Sequence, residues 1–189
     1  MPTLKKKLGI PLSELIPPPP PAKMEIGVPL RVMRLAQEPL DMHAHEFSEL
    51  VIVLKGRGLH RSGEEEYPIR SGDVFFVKPG IYHSYNDTEG LEIVNILYYP
   101  DKLGLPLFWL HGEPGYRALF ELEPESRRAS NFNGRLTLSF ETLSSVEMMI
   151  LEMESELASG GGYGVFMAAA GLMRLLSTFA RLYERGASP

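Results

Sequence analysis

The sequence predicts a mainly β domain, a small antiparallel barrel of short strands, followed by a pair of antiparallel helices. Short apolar segments separated by turn residues run from residue 29 to about residue 100, as in small all-β domains. Near the end of the chain the apolar residues recur at helical spacing instead. Histidine and glutamate residues on two of the predicted strands are placed so that their side chains can converge inside a barrel.

The length and composition indicate one globular domain. At 189 residues, with 44% apolar and 23% charged residues, the chain is long enough for one substantial core and short for two. Its net charge of −5 argues against a nucleic-acid surface, which is usually basic. The lack of cysteine excludes disulfides and cysteine-ligated zinc and fits a reducing compartment. No signal peptide or bilayer-spanning segment is expected, so we expect a cytoplasmic chain without a membrane partner.

Residues 1–28 are predicted to form a proline-rich N-terminal arm. Pro17 to Pro21 are consecutive prolines, which favour polyproline II geometry and remove backbone donors. Such a segment is either a disordered spacer or an arm that folds over a neighbouring pocket or partner.

Residues 29–140 are predicted to form the barrel. Turn residues at Gly56 to Gly58 and at Gly63, and a polar loop from Asn86 to Gly90, separate the strand candidates. The part after residue 100 is predicted mainly as loop, with one or two helical turns from Tyr116 to Glu121. The predicted strands are Leu30–Leu35, Glu49–Leu54, Leu59–Ser62, Glu66–Arg70, Asp73–Val77 and Leu91–Tyr99.

Residues 141–189 are predicted to form two helices that serve in dimerisation. Ser144 and Glu147 match a capping box before the first helix, and Gly160 to Gly162 end it. The second helix, from about Tyr163 to Glu184, is apolar over most of its circumference and therefore needs partners on two sides. One side can cover the barrel and the other can meet a second subunit; alternatively, both sides are buried within one chain. The seam expected to pair in a homodimer is Val165, Ala168, Leu172, Leu175, Phe179 and Leu182.

The candidate metal ligands are His43, His45, Glu49 and His83. The first three share parity on an extended strand, so their side chains leave one face, and the fourth follows a Pro-Gly turn after another strand. Imidazoles with a carboxylate suit a divalent transition metal such as Zn, Mn, Fe or Ni, and the ligand types do not choose among them. Alternatively, the histidines hydrogen-bond inside the barrel or line an empty pocket. A glutamate beside an apolar run is nevertheless hard to bury without a cation or hydrogen bonds.

Two motifs resemble those of the cupins, whose fold is a double-stranded β-helix or jelly-roll barrel. The spacing from His43 through His45 and Glu49 to Gly56 is similar to the ligand-bearing part of the first cupin motif. The stretch from Gly72 to His83 is similar to the second. Lys78 stands where a proline is usual, and Asn86 comes one place early for the asparagine. Both departures touch turn rigidity rather than the ligands.

Residues 30–185 more specifically resemble the sensor domain of AraC-type transcriptional regulators, closest to the rhamnose-responsive ones. The stretches His43 to Val53, Gly56 to His60, Gly72 to Phe75 and Asn95 to Tyr98 carry this resemblance, together with the terminal helices. It implies a domain that binds a small effector and dimerises through those helices. Regulators of this type continue into a helix-turn-helix domain that reads DNA, whereas this sequence ends at Pro189. We expect either the sensor half of a longer protein or a stand-alone relative without direct DNA contact.

A sugar is the expected effector, and it would need hydrogen-bonding groups for its hydroxyls and an aromatic face for its ring. By the resemblance, Tyr85 and Asn95 stand at pocket positions of arabinose-type relatives, and His60 is the best-placed histidine outside the metal set. Taken alone, each of these residues is more often structural than a pocket residue. The candidates for ligand binding are Arg31, Arg34, His60, Tyr85, Asn95 and Trp109.

An enzyme is the competing class of protein. A cupin metal with open coordination positions could activate dioxygen, or act as a Lewis acid in isomerase or lyase chemistry. No general base stands out beyond the metal ligands, so no catalytic residue is assigned and the regulator is the favoured interpretation. A binding protein without a regulatory role is a third alternative. In a regulator, the effector would shift arm, barrel and partner between two arrangements.

Overall fold

The computed structural model describes residues 29–63, 65–121 and 135–187. The predicted arm, residues 1–28, lies outside the described residues, and the division of the chain into arm, barrel and helical segment stays a prediction. Six strands are followed by a segment of short helices, a seventh strand and two long helices. The strands are β1 (Leu30–Ala36), β2 (Leu40–His43), β3 (Ser48–Ser62), β4 (Glu65–Arg70), β5 (Asp73–Val77), β6 (His83–Tyr98) and β7 (Arg135–Thr137).

The seven strands form one antiparallel sheet that folds into two facing halves. Its order is β1-β6-β3-β5-β7, with β2 beside β6 and β4 beside β3. The long strands β3 and β6 belong to both halves, because β1 and β5 flank one end of this pair while β2 and β4 flank the other. Val51 and Phe75 from one half pack with Ile69 and Tyr85 from the other in a single apolar cluster. The predicted mainly β, cupin-type barrel is confirmed.

The bend between the two halves coincides with irregular pairing in the middle of β3 and β6. The register shifts repeatedly between Val53 and Leu59, which indicates β-bulges that bend and twist the strands. Gly56 lies in this region with a φ of 74°, and a Cβ atom added to it would lie 2.1 Å from the carbonyl oxygen of Gly90. Only glycine combines this backbone conformation with so close an approach of two strands.

The strand boundaries differ from the prediction in several places. The predicted turn from Gly56 to Gly58 lies inside β3, which joins two predicted strands into one of 15 residues. β6 begins at His83, so the predicted polar loop from Asn86 to Gly90 is part of a strand of 16 residues. Asn86 and Glu89 pair with β3, and Arg57 bonds the Glu89 side chain across the pair, while Asp87 and Gly90 have positive φ angles of 47° and 55°. β2 and β7 are missing from the sequence prediction because strands of 4 and 3 residues are too short to show a periodicity.

Helices occupy the chain after β6. The short helices are α1 (Pro100–Leu103) and α2 (Pro114–Tyr116), with a 3-10 turn between them at Leu107–Trp109 and a π-helical turn after them at Arg117–Glu121. The long helices are α3 (Phe140–Ser159) and α4 (Gly161–Ala187). Gly164 lies against the backbone of Glu156, and Gly171 lies against Met153, so α3 and α4 run antiparallel as predicted.

The cap of α3 differs from the predicted capping box at Ser144. The hydroxyl oxygen of Ser139 accepts a hydrogen bond from the backbone N–H of Thr142, and the helix begins at the next residue after that cap. Ser144 lies inside the helix, where its hydroxyl donates to the carbonyl of Phe140. The sequence Ser-x-x-Thr lacks the acidic residue of a capping box, which explains why Ser139 is missing from the prediction.

The seam of α4 is packed within the chain, which corrects its assignment to a homodimer interface. Ala168, Leu172, Leu175 and Phe179 each have 0% of their surface exposed in the single chain. They join α3 and the outward-facing apolar residues of β1, β3 and β6 in one cluster. The outer residues of the seam, Val165 and Leu182, are half-buried. A side chain without exposed surface cannot contact a second subunit. These four residues are therefore buried within one chain, as in the alternative interpretation of the sequence.

By length and composition alone, α4 could cross a bilayer over Gly161–Gly186, contrary to the expectation that no segment could. This is weak evidence, because the core helix of a soluble protein passes the same test. The seam of α4 packs against the sheet, and 39% of the apolar window is buried.

Candidate functional site

Three of the four predicted metal ligands meet inside the barrel. His45 lies in the connection after β2, Glu49 near the start of β3 and His83 at the first residue of β6, so they come from three segments rather than two. Nε2 of His45 is 2.8 Å from one carboxylate oxygen of Glu49, and Nε2 of His83 is 3.2 Å from the same oxygen. One ligand atom from each residue lies within 4.8 Å of the others, and all three residues are buried.

The backbone fixes the orientation of the histidine rings. Nδ1 of His45 is 2.8 Å from the carbonyl oxygen of Phe47, and Nδ1 of His83 is 3.3 Å from that of Ile81. A carbonyl oxygen can only accept, so each Nδ1 carries the proton and donates, while Nε2 is directed towards Glu49. Histidine ligands in metal sites commonly make such a second hydrogen bond, which sets the tautomer and holds the ring.

Glu49 remains ionised although it is buried. Burial raises the pKa of this carboxyl, but the hydrogen bond from His45 and the close approach of the His83 ring outweigh burial and bring the pKa down to about 2. Nε2 of His83 lies close to the carboxylate but makes no aligned hydrogen bond. Two imidazoles that face one buried carboxylate must either be protonated or share a cation with it.

The fourth predicted ligand, His43, lies at the margin of this group. It is the last residue of β2 and is half-buried, with its ring centroid 4.1 Å from that of His83 and 6.4 Å from that of His45. Its Nδ1 is 2.9 Å from the carbonyl oxygen of Asp41, so Nε2 is again the free nitrogen. Burial and the nearby His83 lower the pKa of His43, which favours the neutral form that ligates metals.

The donor set fits a transition metal. Neutral imidazole nitrogens and a carboxylate are the ligands that Zn, Mn, Fe and Ni take in proteins. His45, Glu49 and His83 would hold the ion, with His43 close enough to complete the set. The unpartnered Nε2 of His83 is the observation that speaks for this fit, because a buried ring nitrogen rarely remains without a partner.

Three of the predicted ligand-binding residues lie deeper in the barrel, next to the candidate metal ligands His45, Glu49 and His83. His60, Tyr85 and Asn95 are all buried, and the ring centroid of His60 is 5.0 Å from that of Tyr85 and 5.7 Å from that of His83. Burial lowers the pKa of His60 to about 3 and raises that of Tyr85, so both are neutral near pH 7. Nε2 of His60, the hydroxyl of Tyr85 and Oδ1 of Asn95 lack hydrogen-bond partners within the described residues.

The other three predicted ligand-binding residues lie apart from this cluster. The guanidinium of Arg34 pairs with Glu154 of α3 at 2.8 Å, on the face of β1 that meets the helices. Trp109 is 74% exposed in the 3-10 turn and stands beside Phe108. Arg31 is exposed, although its register with Leu97 and Glu49 places it on the inward face of β1. The structure therefore gives Arg34 and Trp109 no place in the barrel interior.

Two aromatic residues of the site are missing from the sequence prediction. The hydroxyl of Tyr67 on β4 is 2.8 Å from Nδ1 of His60, and the ring of Phe47 stacks on His45 with centroids 4.0 Å apart. Tyr67 pairs directly with His60 across the hairpin. Counting outward from the predicted turn at Gly63 would have found this pair, because opposite residues in a hairpin share a face.

Comparison with known proteins places these features in a family. Residues 34–143 match the model of the AraC-like ligand binding domain. The transcriptional activator RhaR of Mannheimia succiniciproducens is 27% identical over 149 residues, which cover 79% of this chain and 49% of that protein. RhaR of an Enterobacter species is 32% identical over 123 residues, covering 65% and 40%, and RhaR of Escherichia coli K12 is 40% identical over 85 residues, covering 45% and 30%. The chain thus spans at most about half the length of these relatives.

Among solved structures, a cupin 2 conserved barrel domain protein from Salinispora arenicola has a TM-score of 0.34 at 18% identity, covering 41% of this chain and 69% of that one. A protein with a double-stranded β-helix domain from Klebsiella pneumoniae has a TM-score of 0.32 at 18% identity, covering 36% and 64%.

The family match covers more than half of the chain, including the strands that carry His43, His45, Glu49, His60, Tyr85 and Asn95. The predicted resemblance is therefore confirmed. This chain belongs to the AraC-like ligand binding domain family and is a sensor domain of the type found in the RhaR transcriptional activators.

Proposed function

We propose that the chain senses a small polar effector, a sugar, which binds inside the barrel beside a metal ion. The observation that carries this proposal is a group of buried polar atoms without partners among the described residues. They are Nε2 of His60, Nε2 of His83, the hydroxyl of Tyr85 and Oδ1 of Asn95. Each unpaired buried group costs about 1–3 kcal/mol, so an occupant that offers several hydroxyl groups or an ion would be strongly favoured.

The residues around these atoms suit a sugar ring. Tyr85 and Asn95 can each exchange a hydrogen bond with a hydroxyl group, and Tyr67 holds the ring of His60 from the other side. Phe75 lies 4.4 Å from His60 between ring centroids and supplies an apolar face. A metal held by His45, Glu49 and His83 would add a Lewis-acidic site for oxygen atoms of the effector.

Effector binding is tested by calorimetric titration of the full chain with L-rhamnose first and other hexoses and pentoses next. Tyr85→Phe and Asn95→Leu each remove one hydrogen-bonding group, and we expect each to weaken binding about 10-fold. Arg34→Gln is the matched control, because Arg34 pairs with α3 outside the barrel and its loss should leave affinity unchanged. Sugar binding that survives both interior substitutions would refute the site, and an absence of binding to any sugar would refute the proposed class of effector.

The metal is tested on chain stripped with a chelator and then titrated with Zn²⁺, Mn²⁺ and Ni²⁺. We expect one ion per chain and at least about a 10-fold loss of affinity in Glu49→Gln. Glu46→Gln removes an exposed carboxylate three residues away and should have no effect. Affinity should also fall below about pH 6, because protons compete for the imidazole nitrogens. Equal affinities in the two variants would show that the buried group does not hold the ion.

A metal-dependent cupin enzyme of the dioxygenase or isomerase type is the second candidate, because the same histidine and glutamate side chains suit it. Dioxygen consumption or sugar isomerisation by the metal-loaded chain, abolished in Glu49→Gln but not in Glu46→Gln, would favour this enzyme. Binding without turnover would favour the sensor.

The regulatory context is proposed from the relatives. We infer a cytoplasmic protein in which this chain acts with a DNA-binding domain of the helix-turn-helix type named in the relatives. We also infer a homodimer, formed through the exposed apolar side chains in the first half of α4, Tyr163, Phe166 and Met167. Effector binding would then act by its different affinity for two arrangements of arm, barrel and partner. Effector-dependent protection of residues 1–28 in hydrogen exchange would support this coupling, and unchanged protection would contradict it.

A further inference from the structure

A cavity lies at the edge where β4 of one half of the sheet approaches β5 and β7 of the other. Its volume is about 630 Å³, which is within the usual range for small-molecule sites. Arg57, Arg70 and Arg135 line it together with the apolar side chains of Leu59 and Pro68. None of the candidate metal ligands and none of the unpartnered interior atoms belongs to this lining.

The three arginines differ in how they are held. Arg57 forms an ion pair with the exposed Glu89, whereas the guanidinium of Arg70 has no ion pair or hydrogen bond within the described part of the chain. The guanidinium of Arg135 lies 4.5 Å above the ring of Tyr67 and donates one bond to the carbonyl of Pro68. A planar guanidinium has five N–H donors, so Arg135 is fixed in place while most of its donors stay available.

The nearest buried carboxylate is already engaged. Asp73 accepts hydrogen bonds from the backbone N–H of Arg70 at 2.9 Å and from the hydroxyl of Thr137 at 2.7 Å. It thereby ties β5 to both walls of the cavity. The lining carries three guanidinium groups against the two carboxylates of Asp73 and Asp87, an excess of positive charge on a chain whose net charge is −5.

We propose that this cavity is a second small-molecule site, which binds an anionic compound through Arg70 and Arg135. A carboxylate or phosphate oxygen pair can accept two parallel bonds from a guanidinium, and charge-assisted bonds of this kind are about twice as strong as neutral ones. Leu59 and Pro68 would contact the apolar part of the same compound. The lining of this cavity shares no residue with the proposed sugar and metal sites, although Arg135 contacts Tyr67, whose hydroxyl bonds His60.

The test uses the full chain labelled with ¹⁵N and titrated with citrate and, separately, with phenyl phosphate at constant ionic strength. We expect saturable amide shifts confined to β4, β7 and the start of β5, and at least a 10-fold weaker binding in Arg70→Gln. Arg135→Gln should weaken binding similarly. Arg61→Gln is the control, because Arg61 is exposed on β3 and lies outside the lining of the cavity. A response to only one of the two probes would identify the anionic group.

Three outcomes of this titration would contradict the proposal. Shifts that do not saturate with either probe, or an Arg70→Gln variant that binds as tightly as the natural chain, would overturn it. The same would follow if Arg61→Gln lost as much affinity, because the effect would then be one of net charge. The guanidinium of Arg70 makes no hydrogen bond or ion pair among the described residues, so Arg70→Gln should fold normally even if Arg135→Gln does not.

Discussion

His45 is held by a single neighbour in two ways. Phe47 accepts the Nδ1 hydrogen bond of His45 through its carbonyl and stacks its ring on the imidazole, with the ring planes 6° apart. Both contacts come from one residue two positions further along the chain, so the orientation of Nε2 depends on local backbone rather than on distant packing. A side chain fixed in this way would lose little conformational entropy on binding a metal ion, which would strengthen the proposed site.

The buried side chain of Tyr116 should make the free energy of unfolding depend on pH. Its ring is 5% exposed and packs on Phe120, and burial, with a smaller contribution from the charge of Glu121, raises its pKa to about 12. A raised pKa of this acid means that the folded state keeps the proton longer than the unfolded state. The stabilisation is therefore complete below pH 10 and is lost as the pH rises towards 12.

We expect urea denaturation to show a loss of about 1 kcal/mol between pH 8 and pH 11 that is specific to Tyr116. In Tyr116→Phe this part of the loss should vanish, while the loss caused by other groups remains. Equal pH dependence in the natural chain and the variant would show that the Tyr116 hydroxyl is as accessible in the folded state as in the unfolded one.

The chemistry of single residues is easier to predict from the sequence than their surroundings. Parity along a strand identified His45 and Glu49, and the turn before His83 placed it opposite them. The reasoning assumed one continuous strand, whereas the structure breaks it between His43 and Ser48. Arg34 and Trp109 were chosen for side-chain type alone, and type does not reveal which face of a strand or turn a residue occupies.

At the scale of elements, the fold depends on two long strands that are shared between both halves of the sheet. β3 and β6 have 15 and 16 residues, well above the usual strand length, and they bend where their register shifts. The bend turns His60 and Tyr85 in one half towards Phe75 in the other. The barrel interior and its polar cluster therefore exist only if the bend forms.

Gly56→Ala tests the bend. The new Cβ atom would meet the carbonyl oxygen of Gly90 at 2.1 Å and would sit on a residue with positive φ, so we expect a destabilisation of about 3 kcal/mol. Gly63→Ala is the matched control, since Gly63 also has a positive φ of 61° but an added Cβ meets nothing within 4 Å. That variant should lose about 1 kcal/mol. Similar losses in both variants, measured by urea denaturation, would mean that strand contact at the bend is unimportant.

Elements with a long periodic pattern were predictable, and those that depend on pairing were not. The apolar repeats of α3 and α4 and the apolar runs of β3 and β5 are visible in the sequence. The residues from Asn86 to Gly90 favour turns locally, and only their pairing with β3 makes them a strand. The seam of α4 was also visible, but a pattern of apolar positions does not say whether the partner is another chain or the same one.

At the scale of the whole molecule, the two faces of the sheet differ in the residues they carry and in what they contact. The inward face carries the polar cluster around His60 and the metal group, whereas the outward face of β1, β3 and β6 is covered by α3 and α4. One side of α4, the buried seam, packs against this outward face. The first half of α4 leaves Tyr163, Phe166 and Met167 at 91%, 72% and 50% exposure, so these apolar side chains are free to contact a second chain.

The homodimer proposed above would separate folding from assembly on one helix. Phe166→Glu places a charge on the exposed face, and we expect the dimer to dissociate at least 10-fold more readily, as measured by sedimentation equilibrium, with the thermal unfolding of the monomer unchanged. Leu175→Glu places the same charge in the buried seam and should prevent folding instead, because a buried unpaired carboxylate is costly. Phe108→Glu is the control, since Phe108 is 63% exposed in the 3-10 turn outside α4. A natural chain that stays monomeric at all concentrations, or a Phe166→Glu variant that associates as strongly as Phe108→Glu, would show that this face of α4 does not join two copies.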